Sequence, residues 1–289
     1  MTRGLRDRAV LHHEQEVAQL FDHPDTIGIA YGYQKINRLD GYALGPQAEA
    51  MEQLVIVVAL GVVAGVVTTM AGMGGGLMLL LSLSVLWGPS KALAVTAPAL
   101  LLGNLHRLHM YRASVDRRRA LAFALGALPG ALLGGLSVAW IPPTAVQVLM
   151  VAITLLAVAR ATLRLRFTVP VTALAPAGLV VGALTGAAGG AGLLVAPLLL
   201  ASGLEGIPYV ATIAASAVVM HTGRILGYAG AGLFDRHVLA LSALAAVAIL
   251  GGNLVGKRLR RLSERLPKGA LEYGVLVLAV TLSVAGVSH

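Results

Sequence analysis

The chain has 289 residues, of which 57% are hydrophobic and only 12% are charged. Ordinary soluble domains carry about 25% charged residues, so this chain cannot cover a folded surface unless much of that surface faces lipid. The net charge of +9 then reads as basic loops against anionic lipid and excludes nucleic acid as the expected partner. No cysteine is present, which excludes disulfides, thiolate metal sites and cysteine nucleophiles.

Residues 1–51 form a polar N-terminal extension, read as flexible, with Arg3, Arg6, Asp7, Arg8 and Glu14 among its charges. His12, His13, Glu14 and His23 belong to that polar tail and are not read as a metal site. Met51 stands directly before the first apolar run and would make a natural start. Beyond it, no charge interrupts residues 53–90, 120–159, 167–204, 238–256 or 273–288. A membrane-spanning helix needs about 20 mostly apolar residues. Apolar runs that continue to the C-terminal end do not fit a cleaved signal peptide. Continuous Leu/Ala/Val/Gly runs, without two-residue alternation, exclude a membrane β-barrel.

The expected fold is therefore all-α: a polytopic integral membrane protein with about eight hydrophobic segments. They fall at 53–71 continuing as 77–87, then 92–111, 119–140, 144–162, 171–188 continuing as 193–203, 207–230, 237–256 and 270–288. Gly-rich turns break the first and the fifth. Turns between segments carry strong breakers: Gly88-Pro89, Pro142-Pro143, Pro170 and Pro267-Lys268-Gly269.

A shift of about 117 residues superimposes the two halves of this region. Gly61 falls on Gly178, Gly65 on Gly182, Thr68 on Thr185 and Gly72 on Gly189. Asn104 falls on His221, Arg107 on Arg224 and Tyr111 on Tyr228. With a slip of two, Asp116-Arg117 falls on Asp235-Arg236. The expected organisation is repeat 1 over 52–166 and repeat 2 over 167–289. Cations cluster at Arg112 and Arg117–Arg119, at Arg160, Arg164 and Arg166, and from Lys257 to Lys268. If all eight segments cross, the third cluster lies opposite the first two, against the positive-inside tendency. If the fifth segment is instead a re-entrant hairpin, all three share one side. If the first segment does the same, the halves are inverted; charge favours this version slightly.

Two groups of residues are candidates for binding. The runs Gly72, Gly74, Gly75, Gly76 and Gly189, Gly190, Gly192 cost about 1 kcal/mol per Gly relative to Ala inside a helix. They are expected to break it, and broken backbone at membrane depth survives only beside protein or a water-filled cavity. The freed N–H groups at the next half-helix favour an anion. Gly61, Gly65, Gly178, Gly182 and Gly186 are instead read as helix-packing positions. The second group is Asn104, Arg107, His221 and Arg224. A charge at mid-membrane is costly, and the competing reading for the arginines is snorkelling to the interface. For Asn104 and His221 it is hydrogen bonding between helices. Thr68, Thr96, Thr185, Thr212 and Ser216 are candidate hydroxyl donors to a substrate, but each taken singly is read as bonding a carbonyl of its own helix. Asp116 and Asp235 read as helix N-caps. No HExxH, no G-x-S-x-G and no carboxylate pair within a span occurs, so no enzyme, cofactor or metal is expected.

The motifs resemble the sulfite exporter family, also called TauE/SafE or DUF81-type permeases. The first half reads Gly61-Val-Val-Ala-Gly65, then Gly72-Met-Gly-Gly-Gly76-Leu77. The second reads Gly178-Leu-Val-Val-Gly182, then Gly189-Gly-Ala-Gly192 and Ala196-Pro197-Leu198-Leu199. The stretch from Thr96 to Asn104 is similar to the segment after the Gly motif in some members. The resemblance covers residues 52–288. Two departures stand out: Leu80 occupies the place of the expected first-half Pro, and Ala191 interrupts the second Gly run. The family implies a multi-pass permease of the bacterial-type inner membrane for small anions such as sulfite, sulfonates or other organosulfur compounds. The lipid bilayer and a small anion are the expected partners, and a homo-oligomer is compatible with the chain. Competing classes are a passive channel, a non-transport scaffold and an intramembrane enzyme.

Overall fold

The computed structural model describes residues 46–71, 74–163, 168–190 and 192–263, together with 277 and 281. The polar tail up to residue 45, Gly72 and nearly all of the segment expected at 270–288 lie outside the described residues. From Met51 onward the described helices belong to one compact unit. In chain order these are α1 (Pro46–Ala71), α2 (Gly75–Trp87), α3 (Pro89–Tyr111) and α4 (Arg117–Ser137). They continue as α5 (Pro143–Leu163), α6 (Leu174–Ala188), α7 (Gly192–Ala201), α8 (Gly206–Gly230) and α9 (Arg236–Ser263). No strand occurs among the described residues.

Among the described residues, five helical stretches are long and apolar enough to cross a membrane: Glu49–Thr69, Arg117–Ser137, Val171–Ala188, Gly206–Gly230 and Arg236–Leu259. α3 has 23 residues but carries Lys91, Asn104, His106, Arg107 and His109, which lower its apolarity. α2 and α7 have 13 and 10 residues. At 1.5 Å per residue they extend about 20 and 15 Å, short of the roughly 30 Å hydrocarbon layer. The two Asp N-caps form as their positions predict. Asp116 Oδ1 accepts from Arg119 N at 2.9 Å, and Asp235 Oδ1 accepts from Val238 N at 2.7 Å.

α1–α2 and α6–α7 are helical hairpins. Val169 N, just before the turn leading into α6, donates to Ala201 O at the end of α7 (2.9 Å). The end of α7 therefore returns to where α6 began. In α1–α2, a Cβ on Gly75 would collide with Ala64 O and Thr68 Oγ1 of α1, so α2 starts tight against the second half of α1. Lys91, just beyond α2, packs over the Trp87 ring at 4.9 Å and donates to Gln53 Oε1 at the start of α1 (2.9 Å).

Glycines set the direction of the other helices. Cβ atoms on Gly126, Gly130 and Gly134 would strike Ala175, Leu179 and Ala183 in turn, so α4 and α6 run parallel in near backbone contact. Gly223 and Gly227 abut Leu128 and Leu132 in the same sense, which makes α8 parallel to α4. Gly252 and Gly256 abut Val62 and Val66, which makes α9 parallel to α1. Gln53 also bonds His237 at 2.8 Å, so α1, α3 and α9 start at one end. Arg224 late in α8 reaches Leu93 early in α3, so α3 and α8 are antiparallel. Thus α1, α3 and α9 run one way, and α4, α6 and α8 run the other. Small residues at these seams are what permit such approach without a hydrophobic driving force in lipid.

This arrangement collects charge at one end, the basic end. Arg112 and Arg117–Arg119 lie there, as do Lys257 and Arg258 near the end of α9. Gln53, Lys91 and His237 mark the opposite, far end.

Candidate functional site

The two hairpin tips meet inside the protein. Gly74, the N-cap of α2, has φ 94°, and Gly189 and Gly190 at the end of α6 have φ 65° and 69°. All three occupy the left-handed region that favours glycine, which is why the helices break there. A Cβ on Gly189 would press on Leu80 of α2, and one on Gly190 on Leu77. Where the tips meet lies a cavity of about 370 Å³.

The cavity wall brings together most of the residues singled out in the sequence. Gly74, Gly76, Gly190, Gly192, Asn104, Arg107, His221 and Arg224 all line it. Gly75 and Gly189 do not line it; they are packing positions behind it, against α1 and against Leu80 and Leu93. His106 and His109 lie on the exposed face of α3, away from it. Leu77, Leu80, Leu100, Leu193, Ile213, Tyr209 and Met220 complete much of the wall. Of these, only Leu77 and Leu80 are marked in the sequence, by the family motif; the other apolar side chains are chemically indistinguishable from core or lipid-facing ones.

Arg224 defines the deep end of the cavity. It is 1% exposed, which rules out snorkelling. Its Nη2 donates to Leu93 O and to Thr96 Oγ1, both at 3.1 Å. Its guanidinium carbon lies 5.5 Å from the centroid of the Tyr228 ring, within cation–π range. Tyr228 in turn donates to Gly186 O at 2.7 Å. Among the described residues Arg224 Nε has no partner, and neither has Nδ1 of His221, which is 8% exposed. Leaving such groups buried and unpaired costs free energy. Among the described residues no carboxylate pairs with Arg224, and no Asp or Glu lines the cavity. Thr68, Thr96 and Thr185 donate to the carbonyls of Ala64, Ala92 and Val181, as expected for hydroxyls within helices. Thr212 instead accepts from Asp116 N at 3.1 Å, and the buried hydroxyl of Ser216 has no partner among the described residues, so the expected bond to its own helix does not form.

Two broken hairpins around an internal cavity in a helical membrane protein are an arrangement that many secondary transporters share. The chain belongs to the sulfite exporter TauE/SafE family, whose sequence model matches residues 57–285. No individual curated protein and no solved structure matches it.

Proposed function

We propose that the chain is a secondary transporter of small anions, with sulfite, sulfonates or related organosulfur anions as the substrate class. One observation carries this reading: among the described residues, a fully buried arginine with no carboxylate partner stands on a cavity wall without Asp or Glu. A buried cation without a counter-ion is costly, and an entering anion would supply the missing partner. Arg107 lines the same cavity, His221 offers an unpaired ring nitrogen, and α2 and α7 begin at its edge. First-turn N–H groups lack partners within their own helix, and helix dipoles favour negative charge there.

The same reading takes the halves as inverted repeats. α1 and α6, α3 and α8, and α4 and α9 are repeat mates, and each pair runs in opposite senses. Pairings are reciprocal: α1 packs on α9 as α6 packs on α4. On this reading the basic end faces the cytoplasm by the positive-inside tendency, and the family resemblance supports the inner membrane as its location.

Radiolabelled sulfite flux in proteoliposomes, with sulfate, sulfoacetate and acetate as competitors and an imposed pH gradient, tests the proposal. Saturable flux that is lost in Arg224→Gln is expected. A folded, inserted protein without flux for any of these anions would overturn the substrate class, and unsaturable flux would point to a channel.

A further inference from the structure

The contact between α3 and α8 is closed at one end and open at the other, and repeat mates occupy the two ends. At a shift of 117 residues, Leu93 corresponds to Val210, Thr96 to Ile213 and Arg107 to Arg224. At the far end, Arg224 is sealed against Leu93, which is 0% exposed, and against Thr96. Toward the basic end, Arg107 makes no comparable hydrogen bond among the described residues. Val210, the counterpart of Leu93, is 37% exposed, and Val210 and Ile213 line the cavity together with Arg107. Asn104 and His221 follow the same rule: the mate toward the basic end is the more exposed one.

We propose that Arg224 and Arg107 are alternating latches, and that the structure holds the first latch closed and the second open. The inference rests on the inverted-repeat reading above. In an interface between two copies of one unit, a contact of i with j has a twin of j with i. Here the twin of Arg224 on Leu93 is Arg107 on Val210. Closing the second while opening the first turns the cavity from the basic end to the far end, about a site that stays in place.

Two details give the exchange a direction and a trigger. The mate of Thr96 is Ile213, which has no hydroxyl, so the Arg107 latch has one acceptor fewer. The resting state accordingly keeps Arg224 latched and the cavity facing the basic end. An anion that reaches the unpartnered Nε of Arg224 competes with Leu93 and Thr96 for the same guanidinium. Binding therefore weakens the latch that holds the far end shut. Thr96 is thus a gating residue, and it need not touch the solute.

The absence of native cysteine makes the test direct. Single substitutions Val210→Cys and Leu93→Cys are placed in the full chain in sealed vesicles and exposed to an impermeant maleimide from either side. In the otherwise unaltered chain, Val210→Cys should label from the basic end, and Leu93→Cys should stay unreactive. Adding Arg224→Gln, or the shape-conserving Thr96→Val, should expose Leu93→Cys from the far end. Its labelling rate should rise about tenfold, the population shift expected from losing a charge-assisted hydrogen bond. Labelling of Val210→Cys should fall in step. Arg107→Gln should leave Leu93→Cys silent. The proposal is overturned if Leu93→Cys stays unreactive in folded Thr96→Val protein, or if the two arginine variants shift labelling in the same direction. Labelling needs no transported solute, so a failure of anion flux would sink the proposed substrate class and leave this test intact.

Discussion

Arg224 of α8 donates to the main-chain carbonyl of Leu93 in α3 across 131 residues of sequence, at 3.1 Å. This bond joins the two central helices at the depth where the α6–α7 tip arrives, at Gly189. It makes Arg224 both a wall of the cavity and a structural tie, and its replacements should separate the two roles.

Arg224→Met removes the only buried cation seen among the described residues and keeps most of the side-chain volume. Anion affinity should fall roughly 30-fold or more, the cost of losing a buried charge-assisted contact. Arg224→Lys keeps the charge and loses the planar fork, so it should fall between the two. Isothermal titration with sulfite in detergent, beside melting curves of each variant, measures both effects.

Gly75 and Gly192 should behave oppositely although both belong to a Gly run. A Cβ on Gly75 would collide with the backbone of Ala64, whereas one on Gly192 meets nothing within 4 Å. Gly75→Ala should cost about 1–3 kcal/mol through overpacking and lower the melting temperature. Gly192→Ala should leave melting near the parent value. Equal melting of the two variants would contradict the packing of the first hairpin.

Asp116 gives a pH signature outside the membrane spans. Hydrogen bonding from the Arg119 N–H, with the Arg119 side chain adding to it, holds its carboxyl below the usual range, against a smaller opposing effect of burial. A folded-state value below the unfolded value of about 3.9 means the contribution is present above pH ~4. It is lost as pH falls through the folded value. Asp116→Ala should lower stability by about 0.5–2 kcal/mol, the usual value of an N-cap. The gap between wild type and variant in melting temperature should be flat near neutrality and shrink as pH drops below ~4.

Ser114 and Ser263 lie at the same end of the helices, after α3 and at the end of α9. Single cysteines at the two positions should label from the same side of the membrane. Labelling from opposite sides would mean that α7 does not return beside α6.

Much of the protein is legible in the sequence because it follows from the solvent. Long uncharged runs have no alternative to helices in lipid, so the membrane class and most helix ends could be read directly. Asp116, Asp235, Pro89 and the glycine breaks act locally, within a turn of where they stand, and local chemistry is visible in a one-dimensional string. The repeat of Arg107 in Arg224 and of Asn104 in His221 marked the polar cavity wall for the same reason: such residues are too costly in lipid to be incidental.

Tertiary structure alone decided the rest. Gly75 and Gly76 are neighbours, yet one packs on α1 and the other lines the cavity, because rotation about a helix axis is fixed by its partners. Leu77, Leu80 and Ile213 became cavity wall through position, since no side-chain property separates them from lipid-facing leucines. Arg107 and Arg224 are the same residue in corresponding places, and the sequence treats them alike. Only the packing of α3 against α8 makes one a buried tie to Leu93 and leaves the other on the cavity wall without a comparable bond among the described residues.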